Sequence, residues 1–276
     1  MPARLTDRRC LAPPLRAALI GLPLALAACA SDQMRRPAPV VLPPDRQGYV
    51  DAGRIFSARA PQPGERFPDL WSVGLDGRPI ALDQLRNGGS MLVVTASITS
   101  PIARRQQADL ELIARRWGDC LSVIVLYTIE AHPTRDASPY SGLVWVPAEN
   151  VRDRFQFRQP TTLMDRMILA RQFNDRFVRG ATLVVDPMDN VGWRMMGHGP
   201  NVALLVDEQG EVVMTQGWFD LIGLGPVLER RLGPGRAAEA VASPTAIHGS
   251  ISSPDSPTRG WLPPGLAPEL AALFAE

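Results

Sequence analysis

Short apolar runs alternate with helical patterns along the middle of the chain. Residues 91–96 and 121–128 are nearly all apolar, which is typical of strands buried on both faces of a parallel sheet. Between them, Ser100 precedes Pro101, and this pair favours a helix start because serine caps helices and proline suits the first helical position. The spacing of apolar residues predicts that this helix reaches Trp117. The pattern therefore predicts a strand-helix-strand unit.

A second helix, a third strand, a hairpin and a closing helix are predicted further along. Thr162 with Asp165 three residues later is a helix start, and residues 182–185 form a short strand. The remaining elements are a hairpin of residues 202–206 and 211–215 around the turn at 207–210, and a helix over 221–232. The order β-α-β-α-β, hairpin, α predicts an α/β domain with a central mixed sheet and right-handed crossovers.

The N-terminus has the layout of a secretion signal. An apolar run at residues 17–28 follows four arginines, Arg4, Arg8, Arg9 and Arg16. As a helix the run would span about 18 Å, against about 30 Å for a bilayer core, so it indicates a signal peptide at residues 1–28. The run ends Leu26-Ala27-Ala28-Cys29, which resembles the lipobox of bacterial lipoproteins. The alternative is an ordinary signal peptide that contains a cysteine.

The lipobox resemblance implies a location. Cys29 would carry a diacylglycerol thioether and an N-acyl chain, and two or more acyl chains hold a protein stably on a membrane. Ala30 and Ser31 follow, where an aspartate is associated with retention at the inner membrane. We therefore expect a periplasm-facing, lipid-anchored protein of the cell envelope, on the outer membrane.

Charge and cysteine content exclude several classes of function. The formal net charge is +1, so neither nucleic acid nor another polyanion is an expected partner. The three cysteines are Cys10 in the signal peptide, Cys29, and Cys120, which leaves no intrachain disulfide in the mature protein. The sequence has no CxxC motif and no cysteine cluster for a metal, and we expect no cofactor.

Tails flank the predicted domain of residues 64–232. Residues 29–63 contain many prolines and few large apolar residues, which indicates an extended linker after the lipidated cysteine. Residues 233–276 form a low-complexity tail without periodicity until its end. There, four apolar residues are spaced for a short amphipathic helix that would dock on the domain or on a protein partner: Leu266, Leu270, Leu273 and Phe274.

Several motifs resemble one family. Residues 64–70, Gly-Glu-Arg-Phe-Pro-Asp-Leu, resemble the N-terminal hairpin of peroxiredoxin-like redoxins. Residues 127–133, Tyr-Thr-Ile-Glu-Ala-His-Pro, resemble the Y-x-x-E-A-H-P motif of iodothyronine deiodinases and their bacterial relatives. Residues 96–101, Ala-Ser-Ile-Thr-Ser-Pro, resemble the family's G-S-x-T-U/C-P turn, and residues 185–190 and 199–201 resemble later segments. The resemblance implies a thioredoxin-like fold and an oxidoreductase ancestry.

The chain departs from the family at the reactive position. Where the family has selenocysteine or cysteine, this sequence has Ser100. A cysteine at a helix N-terminus can reach a pKa of about 3.5–7.5, whereas a serine hydroxyl does not ionise near neutral pH. Cys120 lies at the start of the central strand, and sites of such sheets lie at the carboxyl ends, so we interpret it as a structural thiol. We therefore expect no thiol redox chemistry.

Three polar residues are the candidate catalytic group. Glu130 and His132 follow the carboxyl end of the central strand, and the family has these positions beside the reactive residue, here Ser100. The alternatives are a plain helix cap, a loop ion pair and a hydrogen-bonded loop histidine. The ligand crevice expected at the same edge is lined by Thr99, Pro101 and Pro200, and we predict a cis peptide before Pro200.

Three functions are compatible with these features. The one we favour is a deiodinase-like domain that has lost thiol chemistry and binds a peptide or small molecule. The second is an enzyme: either a residual deiodinase or redoxin-type oxidoreductase, or one in which Ser100 attacks, His132 acts as base and Glu130 orients it. The third is a structural envelope protein whose C-terminal segment contacts a partner.

Overall fold

The computed structural model describes residues 55–86 and 89–235. Within these residues the strands form one sheet of seven, in the order β2-β1-β5-β4-β3-β6-β7. Their bounds are β1 Trp71–Gly74, β2 Pro79–Ala81, β3 Ser90–Ala96, β4 Leu121–Tyr127, β5 Thr182–Val185, β6 Ala203–Val206 and β7 Val212–Gln216.

The central strands run parallel and the flanking strands run antiparallel. Strands β3, β4 and β5 are parallel neighbours, while β6 pairs antiparallel with β3, and β7 with β6. On the other side, the β1–β2 hairpin pairs antiparallel with β5. This arrangement of β-α-β-α-β followed by a hairpin and a helix is a thioredoxin-like fold, as predicted from the sequence.

Helices cover both faces of the sheet. They are α1 Pro101–Arg105, α2 Gln107–Trp117, α3 Ala148–Arg152, α4 Leu163–Phe177, α5 Val191–Met195 and α6 Leu221–Leu232, with a 3₁₀ turn at Leu82–Arg86. Side chains of β3 alternate between two apolar clusters: Leu92 and Val94 face the cluster formed with α2, α4 and α6. Met91 and Val93 face a second cluster that includes the 3₁₀ turn. Strands with both faces buried explain the continuous apolar runs of the sequence.

The helix predicted from Pro101 to Trp117 is interrupted. Gln106 adopts a turn conformation between α1 and α2. Its side-chain amide donates a hydrogen bond of 2.6 Å to the carbonyl of Phe219, and the amide of Gln107 donates one of 3.0 Å to the carbonyl of Ala103. These side chains compete with the regular helix pattern, a tertiary effect that helix propensity does not include. Ser100 caps the helix as predicted.

The domain begins earlier than residue 64. Residues 55–59 are helical, and Ala60 is buried, so the extended linker predicted for 29–63 is wrong for its last residues. Phe56 packs against the second apolar cluster of the domain. It lies so close to Gly197 that a Cβ added to this glycine would be 2.8 Å from Cδ2 of Phe56. The signal peptide, Cys29 and most of the C-terminal tail lie outside the described residues. Within 55–86 and 89–235, no helix combines the length and apolar character needed to cross a bilayer.

Candidate functional site

Ser100 is the N-cap of the helix that follows the central strand β3. Its hydroxyl oxygen accepts a hydrogen bond of 3.3 Å from the backbone N–H of Ala103, and its own N–H donates to the carbonyl of Ser97 at 3.1 Å. The residue is only 3% exposed. The Ser100 hydroxyl, at the position where the sequence resemblance implies a nucleophile, is therefore buried and accepts a hydrogen bond from the backbone.

Glu130 ties the ends of the two central strands together. Its side chain is fully buried, and Oε2 accepts hydrogen bonds from the N–H of Thr99 at 3.0 Å and from its hydroxyl at 2.6 Å. The other oxygen, Oε1, accepts from the hydroxyl of Tyr127. Because Ala96 and Tyr127 are register partners of β3 and β4, the loops that follow them leave the sheet side by side. This register explains how residues distant in sequence meet.

Burial dominates the electrostatics of this carboxylate. It raises the pKa of Glu130 above its ordinary value, and the hydrogen bonds from Thr99 and Tyr127 act in the opposite direction. The buried guanidinium of Arg166, which donates to the carbonyls of Asp186 and Pro187 at 2.9 and 2.7 Å, also lowers the Glu130 pKa. A fully buried carboxyl group whose two oxygens accept three hydrogen bonds has the environment of a structural group rather than of a general base open to substrate.

His132 meets the same network through its backbone. Its N–H donates to Thr99 Oγ1 at 3.1 Å, while its ring lies edge to face against Trp145 with centroids 4.6 Å apart. Burial, and next the charge of Arg104, lowers the pKa of the imidazole to about 4, so the ring is neutral near neutral pH. Nδ1 is buried without a hydrogen-bond partner among the described residues. The ring is not hydrogen-bonded to Ser100 or Glu130 there, so the catalytic relay is not assembled.

A loop segment after β4 contacts the residues of the predicted crevice. We call residues 131–157 the cover. Within it, Asn150 Nδ2 donates to the Thr99 carbonyl at 2.8 Å, and Asn150 Oδ1 accepts from Arg104 at 2.9 Å. Thr99, Pro101 and Pro200 are all buried. The ligand crevice expected at these three residues stays a prediction, and their side chains present little exposed surface to it.

The peptide before Pro200 is trans, and the prediction of a cis bond there is wrong. The chain turns instead at Gly197 and His198, which have φ of 82° and 64°. The carbonyl of Gly199 then accepts from Thr95 Oγ1 at 3.2 Å, which fastens the turn to β3. Two consecutive residues with left-handed backbone conformation turn the chain at this point.

Gln159 is a site residue that sequence reasoning missed. Its side-chain amide pairs with the backbone of Glu130, accepting from the N–H at 2.9 Å and donating to the carbonyl at 3.2 Å. It also lines an open groove of about 340 Å³ whose walls include Phe157, Pro160 and Ile168. A single glutamine before a proline carries no sequence pattern that would have predicted this role.

Cys120 lies at the end of the parallel strands opposite to Ser100. It immediately precedes β4 and is half-buried there, whereas Ser100 follows the carboxyl end of β3. In residues 55–86 and 89–235, no group of three or more His, Cys, Asp or Glu side chains is placed to hold a metal ion.

Comparisons with known proteins concern the fold alone. No protein-family model and no curated protein sequence matches the chain. A structure assigned as the thiol:disulfide interchange protein DsbE from Chlorobium tepidum is 14% identical, with a TM-score of 0.43, covering 63% of this chain and 99% of that one. The thioredoxin domain of a thiol-disulfide oxidoreductase from Bacteroides vulgatus is 14% identical, with a TM-score of 0.42, covering 62% and 98%.

An exposed lipoprotein thioredoxin, Etrx1, from Streptococcus pneumoniae is also similar. It is 14% identical, with a TM-score of 0.39, and the match covers 59% of this chain and 99% of that one. Identities this low carry no activity from these proteins to this chain.

Proposed function

We propose that this chain is a lipid-anchored protein of the bacterial cell envelope whose thioredoxin-like domain binds a peptide or a small molecule without thiol chemistry. The supporting observation is the state of Ser100: its hydroxyl is buried and accepts from the Ala103 N–H at the family's nucleophile position. Serine forms neither a mixed disulfide nor a selenenyl intermediate. Cys120 precedes the amino end of β4, whereas Ser100 follows the carboxyl end of the parallel strand β3, so the thiol cannot replace the Ser100 hydroxyl.

The geometry disfavours a serine enzyme. A relay needs a base within hydrogen-bond reach of the nucleophile and an orienting group on that base. Here the Glu130 carboxylate is engaged by Thr99 and Tyr127, and the neutral ring of His132 faces Trp145. The same residues suit a rigid scaffold that holds two loops together.

The groove beside Gln159 is the surface we assign to the ligand. Its volume, about 340 Å³, is within the range of small-molecule sites, about 300–1,000 Å³. Its wall includes Ile168, which is 46% exposed, and its polar groups include Arg158 and Asp165. An apolar body with a few polar groups is thus the matching ligand chemistry. The Glu130 N–H donates to Gln159, and the Thr99 N–H donates to the Glu130 carboxylate, so hydrogen bonds connect the groove to the edge where the resemblance implies a reactive residue.

The purified chain is expected not to reduce insulin disulfides, not to reduce peroxides and not to deiodinate iodothyronines above the rate without protein. The physical reason is that Ser100 supplies no thiolate and Cys120 has no resolving cysteine in the mature chain. Dithiothreitol-dependent turnover followed by turbidity and by iodide release is the measurement. Turnover that disappears in Cys120→Ser would contradict the proposal.

Cys29→Ala is expected to lose incorporated palmitate and to move from the membrane fraction to the soluble fraction. The lipid chains are attached to Cys29 under this proposal, and removing them removes the hydrophobic anchor. Cys120→Ser is the matched control and should keep both label and membrane fraction. A parent chain that incorporates no palmitate would refute the anchor while leaving the redox prediction intact.

A further inference from the structure

The cover exposes three consecutive large apolar side chains. Leu143, Val144 and Trp145 are 50%, 59% and 51% exposed, and we call them the hook. Single exposed apolar residues are ordinary on protein surfaces, but a contiguous group indicates an interaction site. Its apolar area lies at the edge of the domain, beside His132, which contacts Trp145.

The base of the hook is held firmly by the fold. The N–H of Ser138 donates to the Leu143 carbonyl at 2.8 Å, and the N–H of Gly142 donates to the Ser138 carbonyl at 2.9 Å. The Ser138 hydroxyl in turn donates to the carbonyl of Ala131 at 2.7 Å. Ser138 is buried, so the turn presents the hook outward from a fixed base.

The cover carries uncompensated positive charge. Every carboxylate of the cover is in an ion pair: Asp136 with Arg158, Glu149 with Arg105, and Asp153 with Arg152. Arg135 and Arg154 are exposed and have no ion-pair partner among the described residues. Arg135 lies three residues after His132, whose ring contacts Trp145, so the part of the cover next to the hook includes a cation that favours an anionic surface.

The described chain begins beside the cover. Ile55 and Phe56 pack against the cluster of Ala131, Tyr140 and Trp193, of which the first two belong to the cover. Residues 30–54, 25 in number, separate Cys29 from Ile55. Lipid on Cys29 would therefore tether the domain to the membrane from the side that carries the cover.

We propose that the hook inserts into the interfacial layer of an anionic lipid bilayer. Tryptophan suits the boundary between headgroups and acyl chains, leucine and valine supply buried apolar area, and the arginines attract anionic headgroups. The inference rests on the proposed envelope location and does not depend on the groove. It gives the cover a second role: Asn150 contacts the Thr99 carbonyl next to Ser100, and the hook binds lipid.

The test places a fluorescent probe on the hook of the full chain. Trp145→Cys in a Cys120→Ser background is labelled, and Val144→Cys is labelled in parallel because it keeps the contact of Trp145 with His132. The control is Gln209→Cys, in the exposed turn after β6. Val206, the last residue of β6, pairs with Met91 at the start of β3, so this turn lies at the end of the sheet away from the hook. The protein is purified from cells with its processed N-terminus. It is then mixed with phosphatidylethanolamine vesicles containing about one quarter phosphatidylglycerol.

The expected result is selective quenching by lipids that carry a nitroxide high on the acyl chain. Both hook labels should lose more than about half of their fluorescence, because interfacial side chains lie about 5–10 Å into the headgroup and acyl boundary. The Gln209→Cys label should keep its signal. For the unlipidated Cys29→Ala chain, partitioning should weaken about tenfold or more when phosphatidylglycerol is omitted, because each arginine adds attraction only to an anionic surface.

Two results would overturn the proposal. One is hook labels that stay bright, or that are quenched no more than the Gln209→Cys label. The other is hook labels already shielded from aqueous iodide without vesicles, which would show that the C-terminal segment or a second copy covers the hook. Palmitate incorporation is measured on the same preparation, so a failed hook and a failed anchor are told apart.

Discussion

The Glu130→Ala variant is expected to unfold with a free energy about 3–5 kcal/mol smaller than that of the parent chain, as when one partner of a buried charged network is removed. The carboxylate is fully buried and accepts from the N–H and hydroxyl of Thr99 and from the hydroxyl of Tyr127. Removing it leaves these donors without their acceptor in a dry interior, at about 1–3 kcal/mol for each unsatisfied group. It also leaves a cavity.

The loss is offset in part by desolvation. Burial raises the Glu130 pKa, which means that the folded state accommodates the charged form less well than water does. This term favours the alanine variant, and the hydrogen bonds from Thr99 and Tyr127 and the charge of Arg166 reduce it without cancelling it. We expect it to be smaller than the combined cost of the orphaned donors and the cavity. Urea unfolding at neutral pH, followed by tryptophan fluorescence, measures the difference.

Glu149→Ala is the matched control for this prediction. Glu149 lies in the cover and pairs with Arg105, but both side chains are over a third exposed, so the substitution should cost no more than about 1 kcal/mol. Thr99→Val keeps the volume and removes one donor to Oε2, and an intermediate loss is expected. Equal losses for Glu130→Ala and Glu149→Ala would show that Glu130 does not join the two strand ends.

The fold was predictable because its strongest signals are local. The runs that form β3 and β4 are apolar at nearly every position, which is typical of strands buried on both faces. Ser100-Pro101 and Thr162 mark helix starts by capping chemistry. The short helix α5 escaped prediction because five residues carry no readable period. The break at Gln106 escaped it because the hydrogen bond to Phe219 depends on a partner distant in sequence.

The candidate site was predictable in its location and not in its chemistry. Adjacent strand ends place Thr99, Glu130 and His132 together, and strand order alone implies this. Whether a polar residue faces solvent or the interior depends on what covers it. The cover has no regular pattern, and the contact of Asn150 with Thr99 joins residues far apart in the chain. Sequence therefore indicated exposed site residues where the structure has a buried network.

Ser100→Cys in a Cys120→Ser background is expected to react with iodoacetamide at least about tenfold more slowly in the folded chain than in urea at the same pH. Ser100 is 3% exposed. Asn150 of the cover donates a hydrogen bond to the carbonyl of Thr99, the residue before Ser100. Alkylation then requires local opening, and each factor of ten corresponds to about 1.4 kcal/mol of opening free energy. The new thiol should also fail to reduce insulin, because a disulfide substrate is larger than iodoacetamide.

Asn150→Ala, added to Ser100→Cys and Cys120→Ser, separates the access of iodoacetamide to the new thiol from the intrinsic reactivity of that thiol. It removes the side chain that bonds the Thr99 carbonyl and Arg104, so the alkylation rate should rise several-fold while the chain stays folded by circular dichroism. A slow rate in both variants would mean that the thiol is shielded by packing other than the cover. A fast rate without Asn150→Ala, with an apparent pKa well below the free-cysteine value of about 8.5, would contradict the sealed site. The reactive edge would then still be open and organised for a thiolate, and serine alone would separate this domain from redox chemistry.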